Sequence, residues 1–393
     1  MDKKNKNPNV PNLRFSSFTN SYCVYTLGEI LQRVSNPVNI DENKLYYQIG
    51  IRSHSKGIFY KKAETGKQIG NKKIFWVESN CLILNIVFAW EQAVAKTSQK
   101  EIGMVVSHRF PMYKVLNNSL DYIVDFFKTE KGRQVLQMAS PGGAGRNKTL
   151  NQKFFLNSKV YLPSLKEQLI ISRFIALIEN RIETQIKIIN DYYSLKKAII
   201  QHIFNASAQY SKVHLDIILK EISKKNKEQI HNNVLSVSNS LGFVKQSEQF
   251  VDREIASSDT SNYKIVNKNE YAYNPARINV GSIARLTNYD CGIVSPMYTV
   301  FEINTTRIIY EYFDYFLHSF TFQKQLNQRL EGSVRQCLTF NSMKNIEIEL
   351  PPIEVQIEIS KNMKHLDSKI KIESDYLNLL KSQKNYLLKN MFT

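Results

Sequence analysis

At 393 residues, 42% of them hydrophobic, the chain exceeds the usual size of one hydrophobic core and is expected to form two domains or more. Lysine and arginine total 53 against 35 acidic residues, a net charge of +18, which suits a polyanion such as nucleic acid, although solubility alone is a blander explanation. No apolar run of about 18 residues occurs and residues 1–15 hold no apolar signal segment, so no membrane partner is expected and the protein is expected in the cytoplasm.

Residues 1–161 read as a first globular domain, with strands expected at 73–77 and 81–88 and a helix at 120–137, where β-branched and aromatic runs give way to a helical period. The glycine-rich stretch 142–148 lacks phosphate-loop spacing and reads either as a flexible loop carrying Arg146 and Lys148 or as a plain linker. A long helix follows at 162–205, entered through Pro163, where a missing N–H costs little. Its apolar stripe runs through Ile171, Ile175, Ile178, Ile182, Ile186, Ile189, Tyr192, Leu195, Ile199 and Ile203, about 3.6 residues apart on average. Residues 206–349 read as a second globular domain, with a strand run at 292–303 and a helix at 306–330, and residues 350–393 as a second long helix. Its stripe is Ile359, Met363, Leu366, Ile370, Ser374, Leu377, Leu380, Gln383, Leu387 and Met391.

The two halves are copies. Leu162-Pro163-Ser164-Leu165-Lys166-Glu167-Gln168 returns as Leu350-Pro351-Pro352-Ile353-Glu354-Val355-Gln356 at an offset of 188, held without a gap to Phe204 and Phe392. Val106-Ser107 and Val294-Ser295 share the offset, and residues 85–95 align with 274–284. The fold class expected is α+β, with two tandem domains separated by two long helices that form an antiparallel coiled coil. Roughly 40 residues at about 1.5 Å each make a rod of about 60 Å, too long to pack fully on one such domain, although each helix could instead belong to its own domain's core. The coiled-coil seam is expected at Ile171, Ile175, Ile178, Ile182, Ile189, Ile359, Met363, Leu366, Ile370 and Leu377.

Leu350 to Gln356, Tyr273-Asn274-Pro275-Ala276-Arg277-Ile278-Asn279-Val280-Gly281, Gly292-Ile293-Val294-Ser295-Pro296-Met297-Tyr298, Phe88-Ala89-Trp90-Glu91 and Val106-Ser107-His108 together resemble the specificity subunits of type I restriction-modification systems. The resemblance covers nearly the whole chain. Its departures are Ser164 in place of a proline and Val355 in place of a glutamate, both at helix starts. It implies a non-catalytic subunit that recognises an asymmetric two-part sequence in double-stranded DNA. Two methyltransferase subunits would methylate adenine N6, and restriction/translocase subunits would cut unmodified DNA. No cofactor is expected on this chain; S-adenosylmethionine and ATP would bind the partners. A free-standing coiled-coil DNA-binding protein without methyltransferase partners is the alternative.

Candidate DNA contacts are Arg52, Lys96, Arg109, Arg146, Lys148, Asn239, Arg277, Arg285 and Arg335. Arg277 could make a bidentate contact to guanine or to a phosphate, or fix a turn as a structural residue. The first domain holds 24 basic and 11 acidic side chains, a net +13, against 16 and 15 in the second, so it is expected to supply most phosphate attraction. Asn274-Pro275-Ala276-Arg277 lacks both the second proline and the stacking aromatic of the adenine-methyltransferase loop, and no cofactor-binding Gly-x-Gly follows a strand. His108, His202 and His318 show no metal-ligand spacing. The scattered Cys23, Cys81, Cys291 and Cys337 suggest neither zinc ribbon nor disulfide framework and are expected as reduced, buried thiols.

Overall fold

The computed structural model describes residues 10–142, 148–205, 210–239, 241–249, 259–332 and 336–392. The chain divides into two compact units, Met1–Ile186 with Asp375–Thr393, and Lys187–Ser374. Each contains mixed helix and strand together with one half of each long helix.

In the first unit a four-stranded antiparallel sheet has the spatial order Leu31–Val34, Met112–Val115, Leu82–Leu84, Val94–Lys96. The second unit repeats it as Leu219–Ile222, Thr299–Ile303, Tyr271–Tyr273, Ile283–Arg285. The expected strand run at 81–88 stops at Leu84, because the Asn85 side chain caps a turn by accepting from the Val87 N–H at 3.1 Å. The run at 292–303 is two strands, Cys291–Val294 and Thr299–Ile303, joined by a turn in which Tyr298 N–H donates to Ser295 O.

Each expected helix, at 120–137 and 306–330, is in fact a pair. Leu120–Lys128 is followed by Glu130–Met138, and Tyr310–Leu317 by Phe320–Gln328. Thr129 and Ser319 break them: each leaves the helical conformation, and its hydroxyl caps the next helix by accepting from Gly132 N–H and Phe322 N–H respectively. Gly132 is required at the first corner, since a Cβ there would lie 2.2 Å from the Phe126 carbonyl oxygen.

The helix-start motif has a direct structural explanation in its glutamine. Gln168, 1% exposed, accepts from Ser119 N–H at 2.9 Å and donates to Asn118 Oδ1 and Pro163 O. Gln356, fully buried, accepts from Ile309 N–H at 3.0 Å and donates to Arg307 O and Pro351 O. Both amides satisfy backbone groups that burial would otherwise leave unpaired, and so fasten the start of a long helix to the helical pair before it.

The long helices span Leu165–Asn205 and Ile353–Met391. They run antiparallel: in the first unit Lys384 Nζ lies 2.5 Å from Glu179 and Arg181 donates to the Tyr376 hydroxyl. In the second, Lys196 pairs with Asp367. Their buried stripes are also core. Ile171, Ile175 and Ile178, with Ile182 half-buried beside them, join the first domain's cluster, together with Leu387, Leu388, Met391 and Phe392 from the end of the second helix. Met363, Ile200 and Phe204 join the second domain's cluster, with Ile359 packed against it. Ile189 and Ile370 are buried, and Leu366 and Leu377 half-buried. The stripes therefore serve the helix pair and the domain cores together, and not the helix pair alone.

At two points in the first helix and one in the second, the seam lies one residue from its expected position. Ile186 and Leu195 are 40% and 48% exposed, whereas Gln185 is 4% exposed and Lys196 lies partly buried. In the second helix Lys384, partly buried, replaces exposed Gln383, and Glu373 is partly buried alongside Ser374, so both seams accommodate a four-three spacing. Lysine tolerates such a place because its aliphatic stem packs while its ammonium reaches a carboxylate, Asp367 or Glu179.

All four cysteines are free, but only Cys81 is buried; Cys23 is exposed and Cys291 and Cys337 are intermediate. Burial pushes the Cys81 thiol up to about 11. Among the described residues no helix is long and apolar enough to cross a membrane, and no group of three or more His, Cys, Asp or Glu could hold a metal ion.

Candidate nucleic-acid interface

In the first domain two loops meet beside the four-stranded sheet. The hairpin Ile49–Ile51 with Ile58–Tyr60 ends in a tip where His54 and Ser55 both take positive φ, and their N–H groups donate to Glu91 O and Gln92 O at 2.7 and 3.0 Å. Those acceptors belong to a 3-10 turn, Ala89–Glu91, and its left-handed cap Gln92, whose side-chain amide donates to Phe127 O and Thr129 O. Hairpin tip, turn and helical pair are thereby bonded into one surface. It displays exposed Arg52, His54 and Lys56, with the Arg52 guanidinium over the Phe59 ring. Exposed Arg109 adjoins it, its carbonyl accepting from Ile86 N–H at 3.0 Å.

Lys148 reaches the same surface, its ammonium 5.3 Å from the Trp90 ring centroid, a cation–π geometry. Leu150 N–H donates to Ile86 O, so the residues after the glycine-rich stretch return to the chain just before the 3-10 turn. Arg146 lies outside the described residues, as does Arg335.

The second domain builds its surface from the same backbone parts. The hairpin Leu235–Ser238 with Gly242–Lys245 brings exposed Asn239 against Gly281, where an added Cβ would stand 3.3 Å from that of Asn239. Gly281, at φ 92°, takes the place of Gln92 as left-handed cap of the 3-10 turn Ile278–Val280. Arg277 is the exposed N-cap of that turn, and Leu338 N–H donates to Pro275 O as Leu150 does to Ile86.

Two expected contacts are placed differently from the rest. Arg285 is not a free cation: its guanidinium bonds to Asp314 at 2.8–3.0 Å, lies 3.6 Å from Glu311 and stacks over Tyr310, with its side chain 13% exposed. We read it as a structural arginine rather than a DNA contact, because moving it outward would strand a half-buried carboxylate. Burial raises the Asp314 carboxyl above its ordinary value, with Arg285 and Tyr271 opposing. Lys96, at the position equivalent to Arg285, makes only an exposed 2.5 Å pair with Asp121 and keeps access to solvent. His54, Lys56, Trp90 and Met297 were not among the expected contacts, although Trp90 and Met297 lie in segments that carry the resemblance. The 188–189 offset pairs Arg109 with Met297 and Arg277 with Phe88, a signal that could have brought the last of these forward.

Comparison with known proteins agrees with this architecture. Residues 219–382 match the profile of the type I restriction modification DNA specificity domain. The HsdS subunit from Thermoanaerobacter tengcongensis superposes with a TM-score of 0.52 at 15% identity, over 94% of this chain and 96% of that one. The type I restriction-modification S subunit from M. genitalium gives 0.56 at 14% identity, over 98% and 99%. A chain from a study of complex assembly and conformational transition in the type I R-M system gives 0.61 at 15% identity, over 94% and 97%. Residues 219–382 are thus similar to the type I restriction modification DNA specificity domain, and the chain as a whole shares the fold of HsdS subunits.

Proposed function

We propose that the protein is the DNA-reading subunit of a type I restriction-modification complex and carries no catalysis itself. Each globular domain reads one half of an asymmetric two-part target. The observation that carries this is the pair of equivalent surfaces, built from the same hairpin tip and 3-10 turn but bearing different side chains: Arg52, Trp90 and Arg109 in one, Asn239, Arg277 and Met297 in the other. Shared backbone with exchanged side chains suits two sequences read by one mechanism. Bound partners would supply adenine N6 methylation, restriction and translocation, with S-adenosylmethionine and ATP held on those subunits. The long helices offer them exposed apolar side chains: Leu177, Tyr193 and Leu195 on the first and Ile372, Leu379 and Tyr386 on the second, each at least 48% exposed.

Co-expression with the methyltransferase subunits of its own system tests the reading. A stable complex is expected, in which methyl transfer to duplex DNA requires every component and the purified chain alone transfers none. Methyl transfer by the isolated chain, or failure to form the complex, would contradict it.

A further inference from the structure

The two surfaces share a feature that neither domain reveals by itself. Asn85 and Asn274 close equivalent turns: Phe88 N–H donates to Asn85 O at 3.1 Å and Arg277 N–H to Asn274 O at 2.9 Å, while each asparagine side chain accepts a second backbone N–H at 3.1 Å. Phe88 and Arg277 therefore occupy one structural position. An adjoining turn is also duplicated, with Phe110 N–H donating to Ser107 O and Tyr298 N–H to Ser295 O, both at 3.0 Å. Its third residue is Arg109 in the first copy and Met297 in the second.

The two turns touch in each domain. Ile86 N–H donates to Arg109 O at 3.0 Å, and Asn274 Nδ2 lies 4.0 Å from Met297 Sδ. All four side chains face solvent: Phe88 is 43% exposed, Met297 64%, and both arginines are exposed. Each domain thus presents one guanidinium and one apolar side chain on touching turns, and the two positions are exchanged between the copies. Chance exposure would not require one of each in both domains. In a DNA major groove a guanidinium fork matches guanine O6 and N7, and an apolar side chain matches the thymine methyl group.

Resting on the DNA-reading function above, we propose that Arg109 with Phe88, and Arg277 with Met297, are specificity-determining pairs. Each pair reads a guanine through the arginine and a nearby thymine methyl through the apolar side chain. The exchange of positions reverses the order of the two bases, relative to the protein, between the half-sites.

The test uses the complete complex with its methyltransferase subunits, selecting from a pool of randomised DNA duplexes. The wild-type complex is expected to return a guanine in each half-site. R109K keeps the charge but loses the fork, and should lower the preference for that guanine roughly 5- to 150-fold in one half-site only. R277K should do the same in the other half-site, and M297A should weaken discrimination of thymine from cytosine beside it. Melting temperatures matching wild type show that these exposed substitutions leave the fold intact. If R109K and R277K select the wild-type sequence, or weaken binding to all sequences alike as lost phosphate contacts would, the assignment is overturned. A wild-type complex that selects no sequence overturns the DNA-reading function itself, so the two failures are distinguishable.

Discussion

The Arg14–Glu167 pair shows how far a single side chain can be read from sequence. Glu167, 1% exposed at the start of the first long helix, takes both bonds of the Arg14 guanidinium at 2.7 and 2.8 Å, and Arg14 also stacks over Tyr22. Burial, together with the nearby Glu167 carboxylate, pushes the Tyr22 phenol well above its ordinary value. The motif at 162–168 flagged Glu167 and showed Val355 in its place in the second copy, but not the partner, which lies 153 residues away in a segment without a repeat counterpart. A valine needs no cation, so the second copy dispenses with one. Arg14→Ala leaves a buried carboxylate unpaired and should destabilise the protein by about 3–5 kcal/mol, read as a lower denaturation midpoint. R14M/E167V, which removes both charges as the second copy does, should lose much less. Equal losses would show that the pair is not what holds this corner. Arg285 fell beyond sequence reading for the same reason, because a cation on a strand end looks alike whether it faces DNA or Asp314.

Elements were legible where periodicity was long, and misread where a polar side chain intervenes. The long helices announced themselves over about eleven turns. Within them, periodicity of apolar residues favoured Ile186 and Leu195, while the seam follows Gln185 and Lys196, because lysine can pack its stem and still pair its charge. The broken helical pairs escaped for a similar reason: Thr129 and Ser319 sit inside otherwise continuous helical patterns, and only their capping hydroxyls reveal the break. The seam also carries a pH dependence. Burial alone would raise Glu179, but Lys128 and Lys384, at 3.3 and 2.5 Å, outweigh it and hold the carboxyl below the ordinary glutamate value. A carboxyl depressed by folding stabilises fully above its unfolded pKa, and that contribution disappears as pH falls through the folded value. E179Q should therefore melt below wild type at pH 7, by on the order of 1 kcal/mol, and the two curves should converge as pH falls below the ordinary glutamate range. A gap that persists or widens in acid would contradict the ion-pair assignment.

At the scale of the molecule, the offset of 188 residues made the duplication and both long helices legible. It could not tell which domain receives each helix end. The structure assigns the end of the second helix to the first unit, where Phe392 stacks on Tyr122 at 4.8 Å. The end of the first helix enters the second unit, where Phe204 packs against Tyr312 and Phe316. A repeat in sequence is silent on such an exchange, because either partner satisfies the same apolar stripe. The duplicated surfaces were only partly legible: Arg109, Arg277 and Asn239 stood out by residue type, whereas Met297 gains meaning when its turn is laid over that of Arg109, a pairing that the offset of 188 also makes. Two such surfaces on one chain lead to the central proposal, that this protein reads two different short sequences at once. Single-molecule mapping of N6-methyladenine in cells carrying the complete system measures this most directly. The expected map is two dissimilar half-sites separated by a constant stretch of unspecified bases. One continuous site, a symmetric palindrome, or half-sites at variable spacing would contradict it.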